Sequence, residues 1–167
     1  MRSTTKRIAT VTAIATAGVA IGGTLATAQN SATQPAVAVC ELVTKAEAVA
    51  ALGDAVVVTD GGRACSYTVT KSGAFKSLTV SLGPGDVKAD TFAEGMRAYA
   101  QMANLTLRAA ADTGDEAWAA LGDQLSQLMA RRGERAVSVV LINVRTPVDE
   151  RVATMAALAR KALARLG

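Results

Sequence analysis

No histidine occurs anywhere in the 167 residues. That one absence removes the commonest general base, the usual partner of a serine or cysteine nucleophile, and the commonest zinc ligand. Aromatic residues are scarce too, with two Phe, two Tyr and one Trp, so any core has to be built from aliphatic and alanine side chains. Phosphate loops are missing, because neither Gly61-Gly62 nor Gly83-Pro84-Gly85 is followed by Lys and Ser/Thr opening a helix. Carboxylates remain. Asp115-Glu116 and Asp149-Glu150 are adjacent pairs, yet each stands where a turn or a helix start favours an acid in any case. Asp54 and Asp60 lack the further oxygen ligands at loop spacing that calcium requires. No catalytic residue, cofactor site or metal site is expected.

What is present begins with an export signal. Arg2, Lys6 and Arg7 form a basic start, residues 8–25 an apolar run broken by small residues, and Ala26-Thr27-Ala28 the A-x-A pattern of a cleavage site. Residues 1–28 therefore read as a signal peptide cleaved after Ala28. Gly18, Gly22, Gly23 and seven threonines between residues 4 and 27 make this a weak bilayer span, which needs roughly 20 apolar residues. No stable membrane span is expected after cleavage. Lipidation at Cys40 is disfavoured, because Val37-Ala38-Val39 lies well past the apolar run. Three of the 18 basic residues and none of the 14 acidic ones lie in the first 28, so the remainder carries 15 against 14, and the net charge falls from +4 to +1. A pI near 9.4 is thus partly inherited from the export signal, and no nucleic-acid partner is read from it. Outside the cytosol, the only two cysteines, Cys40 and Cys65, suit a disulfide better than a metal site or a catalytic pair.

Residues 29–39 lack periodicity and read as a flexible leader, and residues 40–167 as a single domain. Thr44 and Glu47 have the spacing of a capping box, with Gly53 as the left-handed stop and Leu42, Ala46, Val49 and Ala50 on one helix face. Residues 55–59 and 65–70 read as strands joined through Asp60-Gly61-Gly62. In the second of these, Cys65, Tyr67 and Val69 alternate with Ser66, Thr68 and Thr70. Leu78, Val80 and Leu82 alternate with Ser77, Thr79 and Ser81 after a turn at Lys71-Ser72-Gly73, and Gly83-Pro84-Gly85 ends that strand. A helix over 90–103 carries Phe92, Met96, Tyr99 and Ala103 on one stripe, and Thr91 with Glu94 has capping-box spacing. Strands over 116–120, 124–131 and 135–144 follow. The run from Val137 to Ile142 is apolar on both faces and belongs inside a sheet. Thr146, Pro147 and Asp149 give an N-cap, a first helical proline and a first-turn acid. The helix they open carries Val148, Val152, Met155, Ala159, Ala162 and Leu166 on one stripe, with Arg160, Lys161 and Arg165 near its negative pole. The order α-β-β-β-α-β-β-β-α predicts an α+β domain, a curved antiparallel sheet of about six strands with helices packed on it.

The module C-E-L-V-T-K-A-E-A-V-A-A-L-G, followed by C-S-Y, by G-D-E-A-W and by a closing Ala/Leu helix, resembles a group of exported proteins and lipoproteins of unknown function from high-GC Gram-positive bacteria. The resemblance spans nearly all of the chain after the signal. It implies a Cys40–Cys65 disulfide and an α+β domain facing the cell envelope. The chain departs from the lipoprotein members in having no lipobox at Cys40, which favours release. The function expected is that of a secreted or envelope-associated, non-enzymatic monomer that binds a protein or an apolar ligand between sheet and helices. A small extracellular enzyme inhibitor, presenting a loop at 81–86, and a hydrolase using carboxylates alone are the alternatives. Arg131, Arg132 and Arg135 cluster at an expected hairpin tip and are the candidate contact for an anionic polymer or lipid headgroup, though an exposed turn is where charge costs least and solvent is the favoured reading.

Overall fold

The computed structural model describes residues 37–71, 75–83 and 88–167. The signal segment, most of the leader, and parts of the turns at 71–73 and 83–85 lie outside the described residues. The fold is α+β. Its helices are α1 (Val39–Leu42), α2 (Lys45–Leu52), α3 (Ala89–Met102) and α4 (Val148–Leu166). Its strands are β1 (Val56–Asp60), β2 (Ala64–Val69), β3 (Ser77–Leu82), β4 (Thr106–Ala109), β5 (Glu116–Leu121), β6 (Leu125–Arg132) and β7 (Arg135–Ile142). The strands make one antiparallel sheet in the order β1-β2-β3-β7-β6-β5-β4. Two meanders, one from each half of the chain, thus meet where β3 pairs with β7. The sheet has seven strands where about six were expected. The extra one, β4, has four residues and a mostly exposed pattern that carries little alternation to read.

The N-terminal module is built differently from one continuous helix. Val43 is extended, so the chain makes the single turn α1, breaks, and restarts at Thr44. The restart uses the expected capping box: the Glu47 amide donates to Thr44 Oγ1 (3.3 Å) and the Thr44 amide to Glu47 Oε2 (2.8 Å). Gly53 closes α2 at φ +75°, a left-handed conformation that costs glycine least. The break also changes which residues are buried. Val39, Leu42 and Val43 enter the core through α1, while α2 buries Ala48 and Leu52 and leaves Ala46 and Ala50 exposed, contrary to the expected face. The folded unit starts before Cys40, since Val37 already packs against the core.

On one side of the sheet, called here the inner face, Tyr67, Leu78, Val80, Leu128, Val137, Val139 and Leu141 meet Leu42, Met155 and Leu163 in a filled core. α4 lies across β6 and β7 and touches α1, and α2 lies over β1 to β3. Pro147 is the N-cap of α4 and Val148 its first residue, one position later than expected, with no side-chain cap. The buried stripe is accordingly rotated to Met155, Ala156, Leu158, Ala159, Ala162 and Leu163, and Val148 is exposed. α3 starts after Lys88 without a side-chain cap. Thr91 donates its hydroxyl to the Lys88 carbonyl (3.4 Å), so no Thr91–Glu94 box forms. Past β3, Gly83 continues the ladder by donating to Ala136 O (2.8 Å), and a Cβ there would stand 2.7 Å from that of Ala136.

Candidate binding face

Because side chains alternate along a strand, the ladder registers decide what the opposite, outer face carries. One row runs Thr59, Ser66, Thr79, Val140, Gln127, and the next Ala64, Ser81, Ser138, Met129, Trp118. A third holds Val57, Thr68, Ser77 and Ile142. Over β4 and β5 this face is covered by α3, whose Met96, Tyr99 and Ala100 pack on Leu105, Leu107, Trp118, Ala120 and Met129. Arg97 of α3 sits 5.9 Å from the centre of the Trp118 ring. Among the described residues no helix lies over the outer face of β1, β2 and β3. Among the described residues the sheet is therefore covered by helices on its inner face and, on its outer face, only over β4 and β5.

On this face Thr59 is exposed and Ser66, Thr68, Thr79 and Ser81 are half-buried, while Ser77 of β3 and Ser138 of β7 are buried. Ser66 and Thr79 share a hydrogen bond at 3.0 Å across β2 and β3, and Gln127 Nε2 donates to Ser138 Oγ at 2.9 Å across β6 and β7. Neutral hydroxyls and an amide can donate to and accept from a polar partner at small desolvation cost. Neither bond brings a base to a hydroxyl, so the arrangement offers recognition and no activated nucleophile. The strand alternation of Ser66 and Thr68 with Cys65 and Tyr67, and of Ser77, Thr79 and Ser81 with Leu78 and Val80, was the sequence signal for this face. Ser138 had none, because it stands inside a run of valines.

The arginines expected to form one contact are divided between the two faces. Arg131 lies on the outer face with its Nε 3.3 Å from Glu116 Oε2 and its guanidinium 4.0 Å from Asp115, and it is largely covered. Arg135 points to the helix side and donates to Gly167 O at the end of α4 (2.7 Å). Arg132, next to it, is exposed. Two of the three thus hold the hairpin to its neighbours and do not form a joint patch. Three of the four adjacent carboxylates are engaged as well. Glu116 accepts from Trp118 Nε1 (2.8 Å), Asp115 from the Gly133 amide (2.7 Å), and Asp149 from Arg108. Asp54 lies between Lys71 and Lys76, and Asp60 accepts from the Gly62 amide (2.8 Å). Among the described residues no cluster of three acidic or cysteine side chains could hold a metal ion. Of the loop at 81–86 expected for an inhibitor, Ser81 and Leu82 belong to β3 and residues 84–86 lie outside the described residues.

Cys40 and Cys65 form the expected disulfide (S–S 2.00 Å). The polar contacts around it were not foreseen, and they are structural: Tyr67, two residues along β2, donates its hydroxyl to the Val43 carbonyl. Glu47 accepts a two-pronged contact from Arg165 of α4 (2.7 and 2.9 Å) and another from Lys161 (3.1 Å), while Arg165 also donates to Leu42 O (2.7 Å). Arg165 above all holds the Glu47 carboxyl well below the usual carboxylate range, and burial raises the Tyr67 phenol. Nothing in the sequence linked positions 47 and 165. Arg151, only 8% exposed, donates to Gly122 O (2.6 Å) and Ser126 Oγ (2.8 Å), pinning α4 to the β5–β6 turn.

No protein family profile, no curated protein and no solved structure matches the chain.

Proposed function

We propose that the chain is an exported, non-enzymatic domain that docks a partner protein on the open half of its outer sheet face. The observation that carries this reading is the asymmetry of the sheet. Three helices pack on the inner face, while β1, β2 and β3 present Thr59, Ser66, Thr68, Thr79 and Ser81 outward. The space between sheet and helices is occupied by Leu42, Tyr67, Leu78, Leu128, Leu141, Met155 and Leu163, each under 2% exposed, which favours a protein on the outside over an apolar ligand within. Export is supported by the signal-like first 28 residues, by the disulfide, and by the absence of any described helix long and apolar enough to cross a membrane. The resemblance to exported envelope proteins agrees with it. The non-enzymatic reading is supported by the absence of histidine from the chain and by the engagement of the acidic pairs at 115–116 and 149 in structural contacts.

A photo-cross-linking residue placed in the producing cell at Thr68 or Ser81, with Ala164 on the exposed side of α4 as control, tests the docking. One adduct of the same mass from both sheet positions and none from Ala164 is the expected result. Adducts from Ala164 alone, or from no position, overturn the reading. Export is tested apart from this: the protein outside the cell should begin at Gln29 and weigh two hydrogens less than the reduced chain.

A further inference from the structure

The sheet ends on one side at β1, and its edge is open among the described residues. Which backbone groups point outward follows from the pairing. Gly61 donates to Ala64 O (2.8 Å), and bonded pairs alternate along an antiparallel ladder, so Thr59 and Val57 spend their amides and carbonyls on Ser66 and Thr68. Val56, Val58 and Asp60 then turn theirs to the open side. Natural sheets protect such an edge with lysine, proline or a bulge. β1 reads V-V-V-T-D, with Asp60 at its end as its one charge and no lysine, proline or bulge, and Val57 (51% exposed) and Val58 (38%) show apolar side chains on its two faces. At the other end of the sheet β4 carries Arg108, held by Asp149, and is flanked by α3. Beside β1 on the inner side, α2 is apolar from Ala48 to Leu52 and exposes Ala46 and Ala50. Among the described residues β1 thus leaves an apolar strand edge uncovered.

We infer that this edge is a self-association surface, on which a second copy of the chain pairs β1 with β1 in antiparallel register about Val58. The outward-facing residues then match themselves: Val58 opposes Val58, and Val56 opposes Asp60. No like charges meet in that register, since Asp60 faces Val56 and Asp54 faces Gly62, and the Asp60 carboxylate is turned back onto the Gly62 amide. The two-fold axis stands perpendicular to the sheet and places both α2 helices on the same side. A five-residue edge alone falls short of the ~1,200 Å² that stable interfaces bury, so the dimer is reversible and concentration-dependent. It departs from the monomer that the composition suggested. This inference does not rest on the proposed docking, which uses the face of the sheet and not its edge.

Sedimentation velocity over a concentration series tests it, on the disulfide-bonded chain purified from the compartment where the bond forms. The wild-type chain should shift from monomer to dimer as concentration rises. Val58→Pro removes an outward amide and no internal ladder bond, and Val58→Lys sets two like charges face to face. Each should weaken dimerisation at least ~10-fold, a 1.4 kcal/mol effect, with circular dichroism and Tm unchanged. Mixing Val58→Lys with Val58→Glu chains should restore a dimer that neither forms alone. A wild-type chain that stays monomeric at every concentration overturns the inference, as does a Val58→Lys chain that dimerises as well as wild type.

Discussion

Glu47 shows what one side chain can hold together. Its carboxylate completes the cap of α2 and receives Arg165 and Lys161 from the far end of the chain, so residues about as distant in sequence as the domain allows share one cluster. The Glu47 carboxyl titrates below its usual value of 4.5 in the folded chain, first through the Arg165 contact. A depressed carboxylate contributes stability that is complete above its unfolded pKa and is lost as pH falls through that value toward the folded one. The difference in unfolding free energy between wild type and Glu47→Gln should therefore be constant near neutrality and shrink below about pH 4.5. Urea titrations at a series of pH values measure it, and a difference independent of pH would show that the charge on Glu47 plays no part. Tyr67 is the second such residue. It is fully buried and spends its hydroxyl on the backbone of the break between α1 and α2, which explains why an aromatic residue stands two positions after Cys65 in a chain with so few of them.

The elements show which local signals survive in the tertiary structure. Thr44 and Thr91 both open a T-x-x-E pattern, but only Thr44 caps a helix, because α3 begins two residues before Thr91. Thr44→Ala should cost about 1 kcal/mol of stability and Thr91→Ala close to none. Equal losses in thermal unfolding would contradict the assignment of caps. The disulfide joins α1 to the inner face of β2 across a sequence separation of 25, and Cys65→Ser should cost on the order of 3 kcal/mol. An unchanged Tm would mean that the reduced chain keeps the same geometry unaided. Strands with strict alternation, such as β2 and β3, were legible because one face is buried and the other is hydroxylated. The order of the sheet was not. That β3 meets β7 depends on α3 crossing the outer face, and no local pattern encodes a crossing. The break at Val43 separates Leu42 from α2, so the expected face that joined them does not exist; on α4 the expected Met155, Ala159 and Ala162 are buried, and Ala156, Leu158 and Leu163 join them.

At the scale of the whole molecule, the fold divides its sheet into a sealed side and a half-open one. The sealed side accounts for stability: the disulfide, the Tyr67 bond, the Glu47–Arg165 contact and the Arg151 pin all tie helices to it. The open half carries none of these. On the proposed reading its hydroxyls are what a partner meets, and pairing two copies through β1 would place two such surfaces side by side in one continuous sheet. The most direct test is the yield of the cross-linked adduct from Ser81 when Thr79, its neighbour on the same face of β3, is replaced by arginine. The account predicts that Thr79→Arg abolishes the adduct while Tm stays within experimental error of the parent. An adduct that persists at the parent's yield would contradict it.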